Sequence, residues 1–121
     1  MHSITTVSTS PAISKTYDLL KWLIPLTLKF PRQQRFVIAA AIQQGTQTLM
    51  QRLLEAQRAS TPTGRLMHAD VALAQLRMQF RLAHDWSLIT EGQFEYGAKL
   101  MDEVGRLLGT WLKAAKAGDI R

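Results

Sequence analysis

Apolar residues recur along this chain at alternating intervals of three and four, in four long stretches broken by short polar or Pro/Gly-rich punctuation. That period is the signature of amphipathic helices, and no stretch alternates residue by residue as a half-buried strand would. The first helix is expected to begin after Ser14, whose hydroxyl can cap a free N–H, and to run to about Lys29, with Tyr17, Leu20, Ile24 and Leu28 on one face. Pro25 lies inside it. A proline there removes one backbone hydrogen bond and clashes with the carbonyl four residues back, so a kink or an early end is expected. A second helix opens near Pro31, with Ile38, Ile42, Leu49, Leu53 and Ala56 on one stripe and Phe36, Ala40, Met50 and Leu54 on another.

Residues 59–64 (ASTPTG) read as a loop, and a third helix from about Arg65 to Ser87 carries Leu66, Leu73, Leu76, Phe80 and Ala83. Thr90 and Gln93 stand at the spacing of a capping box, in which each side chain satisfies the other's backbone N–H. The helix they open has the cleanest repeat: Phe94, Gly97, Met101, Val104, Leu108, Trp111 and Ala115. Helices of about 25 residues are about 38 Å long. The pattern therefore predicts an all-α, antiparallel up-and-down four-helix bundle over residues 14–117, with tails at 1–13 and 118–121.

Composition narrows what such a bundle can do. At 121 residues, 46% hydrophobic and 20% charged, the chain suits one domain with a core of its own. With no cysteine it has no disulfide, thiolate nucleophile or cysteine-ligated zinc. Residues 1–14 lack the basic start and apolar block of a signal peptide, and the stretch Leu19 to Leu28 is interrupted by Lys21 and Pro25. It is shorter than the ~20 apolar residues of a membrane span, so a cytoplasmic protein with no membrane contact is expected.

Net charge is the strongest pointer to partners. The formal charge is +6, and residues 1–60 hold +5 of it through Lys15, Lys21, Lys29, Arg32, Arg35, Arg52 and Arg58 against Asp18 and Glu55. A positive field of that density attracts polyanions, nucleic acid first among them. From residue 89 onward acids and bases balance, with bases such as Lys113 and Lys116 weighted toward the C-terminal end.

Three clusters could carry chemistry. Lys29, Arg32 and Arg35 flank the first corner between helices, where phosphate would meet fixed cations, although arginines there could equally lie over Phe30 and Phe36. Arg77, Arg81 and His84 follow one another down the third helix and could share a phosphate-binding surface or form a solvated edge with an Arg81–Asp85 pair. Arg77 and His84 also stand at the Arg-x6-His spacing of HEPN-type bundle ribonucleases, but Met78 occupies a place where those enzymes usually carry a polar residue. Gly97, Gly105 and Gly109 lie near one face of the fourth helix, each costing about 1 kcal/mol against alanine. Close approach of another helix, within the chain or between subunits, would offset that cost, with Trp111 on the neighbouring apolar stripe as an anchor. His68 beside Asp70, and His84 beside Asp85, offer no third ligand at useful spacing, so neither a metal nor a cofactor is expected.

With these residues in place the chain resembles the accessory variability determinant proteins of diversity-generating retroelements, a branch of the bacterial four-helix-bundle family that includes proteins encoded in 23S rRNA intervening sequences. The resemblance spans about Tyr17 to Ala115 and rests on residues 17–23 (YDLLKWL), 29–32 (KFPR) with Arg35-Phe36, Leu76-Arg77 with Arg81-Leu82, and 103–111 (EVGRLLGTW). Relatives carry a glycine and an arginine shortly after the Arg-Phe pair, where this chain has three alanines at 39–41. The resemblance implies a homopentameric barrel with a positive surface that associates with the retroelement's reverse transcriptase and supports copying of template RNA into mutagenised cDNA. It carries Arg32, Arg35, Arg77, Arg81 and Arg106 over as basic contacts, and the glycines of the fourth helix as packing positions.

Overall fold

In the computed structural model the described residues are 10–119, with the side chains of residues 34 and 35 outside that description. They form the expected antiparallel up-and-down four-helix bundle, and among the described residues there is no strand. Helix α1 is Pro11–Thr27. Helix α2 is Ala40–Arg58, entered through one α turn (Arg32–Gln34) and a π-helical turn (Arg35–Ala39). Helix α3 is Thr63–Asp85 and α4 is Glu91–Asp119. Each helix packs on two neighbours in a closed square: α1 on α2 and α4, α3 on α2 and α4.

The first helix starts earlier than its apolar spacing suggested. Ser10, not Ser14, is the cap: its hydroxyl accepts the N–H of Ile13 at 3.1 Å, and Pro11 fills the first helical position, where a missing N–H costs nothing. Residues 10–13 are therefore cap and first turn, and the rest of the expected N-terminal tail lies outside the described residues. At the other end Pro25 falls in the last turn and the helix stops at Thr27, the early end that a proline favours. Helix α4 continues through Gly118 and Asp119, where a tail was expected, and residues 120–121 lie outside the described residues.

The inward face of α1 is also a correction. Ala12, Ile13, Thr16, Leu19, Leu23 and Thr27 are buried, whereas Tyr17 and Leu28 are exposed, Ile24 is half-buried and Leu20 lies half-buried beside α2. Two threonines on the core face disguise it as polar. Thr27 satisfies itself internally, donating to the Ile24 carbonyl at 2.7 Å and accepting from Gln43 Nε2 at 2.8 Å.

On α3 the buried residues Leu66, Ala69, Leu73, Leu76, Phe80 and Ala83 keep the three–four repeat without a break. Phe80 is the hub of the aromatic core, edge-on to Trp22 of α1 at 6.2 Å and stacked on Phe94 of α4 at 5.4 Å. Phe30 and Ile89, from the α1–α2 and α3–α4 corners, are buried and close the core at that end. The α3–α4 corner turns on Ser87, whose φ of 60° is left-handed. Ser87 N–H donates to the His84 carbonyl and Leu88 N–H to that of Ala83, both at 2.9 Å, the paired bonds that close a helix in a Schellman motif. The capping box follows: Thr90 N–H donates to Gln93 Oε1 at 2.9 Å and Gln93 N–H to Thr90 Oγ1 at 3.0 Å.

Candidate nucleic-acid interface

The up-down order brings several of the candidate cations to the two ends of the bundle. The amide of Ser10 reaches Gln57 Oε1 at 3.3 Å and the Thr63 hydroxyl bonds Asp119, so the start of α1, the α2–α3 loop and the end of α4 share one end. Arg58 lies at that end, with Lys113 and Lys116 in the last turns of α4. The other end is made by the two corners at residues 28–31 and 86–90, and it holds Lys29, Arg32 and, one turn back along α3, Arg81. The backbone of Arg35 sits in the π turn, but its side chain lies outside the described residues.

Ion pairing divides the candidate cations into two groups. Lys29, Arg32, Arg58, Lys113 and Lys116 are exposed, and among the described residues no acid stands within 4.0 Å of them. Arg52, by contrast, pairs with Glu55 at 3.1 Å, and Arg65 from α3 meets the same carboxylate oxygen at 3.3 Å. Hydrogen bonds from Gln51 and Arg52, aided by the charges of Arg52 and Arg65, hold the Glu55 carboxyl below the ordinary carboxylate value. Arg106 pairs with Glu103 at 3.6 Å, and Glu103 also receives Lys15 at 3.3 Å.

Arg77, Arg81 and His84 do not converge as three available cations. Arg77 spans to α4, with Nη1 2.6 Å from Asp102 Oδ1 and Nη2 donating to the Met101 carbonyl at 3.2 Å. Arg81 is largely exposed and meets Asp85 only at 4.0 Å. His84 stacks on Phe94 at 4.2 Å, with Nε2 2.7 Å from Glu91 Oε1. Neither Arg32 nor Arg81 covers an aromatic ring; the cation–π contact found among the described residues is Lys21 over Tyr17, at 5.7 Å.

The glycines of α4 separate by surroundings. A Cβ on Gly97 would run into the Phe80 ring and stand 2.8 Å from Trp22 Cζ3, so this glycine serves packing within the chain. A Cβ on Gly105 would stand 2.8 Å from Arg77 Nη2, so the missing side chain is the space through which Arg77 reaches α4. A Cβ on Gly109 would meet nothing within 4 Å beyond its own helix among the described residues. Trp111 is half-buried against the core. Sequence spacing missed a third close approach, at Gly45, where a Cβ would stand 2.9 Å from Gln79 Oε1 of α3.

Apolar surface is left exposed along the sides of the bundle among the described residues. A shallow groove between α1 and α2 is lined by Leu20, Met50 and Leu54, with Tyr17 exposed beside it. On the outward side of α3, Met67, Val71, Met78 and Leu82 form an exposed ridge at helical spacing. Among the described residues no group of three potential ligands could hold a metal, and no helix is long and apolar enough to cross a membrane.

A cysteine-free antiparallel four-helix bundle with cations exposed at both ends and apolar faces along its sides defines the class: a small all-α bundle protein. The chain belongs to the bAvd-like family, whose profile matches residues 12–115. Among solved structures, a protein of unknown function from the S23 ribosomal protein family of Bacteroides thetaiotaomicron VPI-5482 is similar in fold. Its TM-score is 0.77 at 19% identity, over 84% of this chain and 95% of the other. No curated protein matches the chain.

Proposed function

We propose that this protein is a non-catalytic, cytoplasmic accessory factor of a diversity-generating retroelement, binding nucleic acid and the element's reverse transcriptase through its basic surface. The observation that carries this reading is a group of exposed cations with no acid within 4.0 Å among the described residues, including Lys29 and Arg32 at one end and Arg58, Lys113 and Lys116 toward the other, on a bundle of the bAvd-like family. Such cations displace counterions from phosphates without reading bases, giving salt-sensitive, largely sequence-independent binding to RNA, DNA or both.

Self-association belongs to the same reading. The α1–α2 groove and the α3 ridge are different surfaces on different sides of the bundle. Docking the ridge of one copy into the groove of the next is a heterologous contact, which closes into a ring when the rotation allows, and the family resemblance points to five copies. A salt titration of binding to RNA and DNA tests the electrostatic part: affinity should fall steeply from about 50 to 200 mM salt. A flat response would remove the basic surface from the mechanism. Co-purification with a retroelement reverse transcriptase tests the partner, and light scattering tests the subunit count.

A further inference from the structure

The end of the bundle formed by the two corners carries two large aromatic side chains that the core does not use. Phe36, in the π turn, is 81% exposed, and Trp86, the residue capping α3, is 53% exposed. Neither is needed to close the core there, because Phe30 and Ile89 already do so. The same end holds Lys29 and Arg32, with no acid within 4.0 Å among the described residues, and Arg81, whose only acidic neighbour among them is Asp85 at 4.0 Å. Arg32 precedes Phe36 by four residues, so cation and ring follow one another at about the spacing of one helical turn. Helices interrupted by a π turn often mark functional positions, and this one separates buried Ile38 and Ala39 from solvent-facing Phe36 and Val37.

We propose that this end is a stacking platform for single-stranded nucleic acid, an inference that rests on the nucleic-acid reading above and gives it a strand preference. An unpaired base presents a π face that can lie on Phe36 or Trp86 while its phosphates meet Lys29, Arg32 and Arg81. In a duplex the bases are already stacked on one another, so a duplex can use the cations but not the rings. The cations set the salt dependence, and the rings set the preference for single strands.

The test compares a labelled, unstructured 20-nucleotide RNA with an RNA duplex of the same sequence, by fluorescence anisotropy at one fixed ionic strength. Wild type should favour the single strand by about tenfold, and Phe36→Leu and Trp86→Leu should each lose about fivefold or more on the single strand while duplex affinity stays within about twofold. Phe36→Trp should retain single-strand affinity, which separates stacking from apolar bulk, and light scattering should show an unchanged assembly. Equal losses on both nucleic acids, no loss on either, or dissociation of the assembly by Phe36→Leu would overturn the platform while leaving the electrostatic reading standing. If wild type binds neither nucleic acid, the electrostatic reading falls and the platform with it. Lys29→Gln with Arg32→Gln should weaken both nucleic acids together; a loss confined to one would contradict the division of labour.

Discussion

Glycine at position 97 is dictated by what faces it. Alanine would gain about 1 kcal/mol of helix propensity, but its methyl would meet two aromatic rings, Phe80 and Trp22, whose planes cannot fold away as an aliphatic chain end can. Gly97→Ala should therefore lower stability by roughly 1–3 kcal/mol, the usual cost of overpacking, seen as a reduced midpoint in urea with little change in slope. Ser87 offers the opposite opportunity. Its left-handed backbone disfavours an L side chain, so Ser87→Gly should raise stability by up to about 1 kcal/mol, readable in the same titration. The left-handed turn was hidden in the sequence because serine stands where a helix of this kind usually ends in glycine, whereas the distances around Gly97 depend on residues 17 and 75 positions away.

Among the elements, α4 was legible almost entirely, because Thr90 and Gln93 announce its start and its three–four repeat runs without a break. Thr90→Ala should cost about 1 kcal/mol of stability, with amide exchange accelerated first at Gln93, which loses its acceptor. Helix α1 was only half legible: its existence and its early end near Pro25 followed from the pattern, but its inward face did not. Apolar residues stand on more than one side of it, and the side that is buried includes Thr16 and Thr27, whose hydroxyls make it read as polar. The Ser10-Pro11 start lies four residues before the first candidate cap that the apolar stripe suggested. Between α2 and α3, Glu55 ties Arg52 and Arg65 together and its carboxyl pKa is lowered on folding. A lowered pKa contributes stability above the ordinary value of 4.5 and loses it as pH falls through the folded value, so this link should weaken only in acid. An NMR titration of the Glu55 side chain should show a midpoint below 4.5, and Arg65→Gln should move it back upward.

On the scale of the whole molecule, the sequence told how much positive charge there is but not which part of it is available. Arg77 looked like a phosphate contact by its spacing from Arg81, yet Asp102, 25 residues on, takes it up, and that pairing depends on how α3 and α4 settle on Gly105. Arg77→Gln and Arg32→Gln should consequently behave differently. The first should cost up to about 1 kcal/mol of stability, since the pair is well exposed, and leave the salt dependence of nucleic-acid binding unchanged. The second should leave stability within about 0.5 kcal/mol and reduce the slope of log affinity against log salt by about 1.

The aromatic hub around Phe80 joins residues drawn from opposite parts of the chain: Trp22 from the first helix, Phe94 and Gly97 from the last. No hairpin can complete that junction alone, because its pieces meet only when the first and last helices dock on the third. The middle of α3 should accordingly open only through global unfolding, so its slowest amides report the free energy of the entire chain, and damage at position 97 should quicken exchange in α1 as much as in α4.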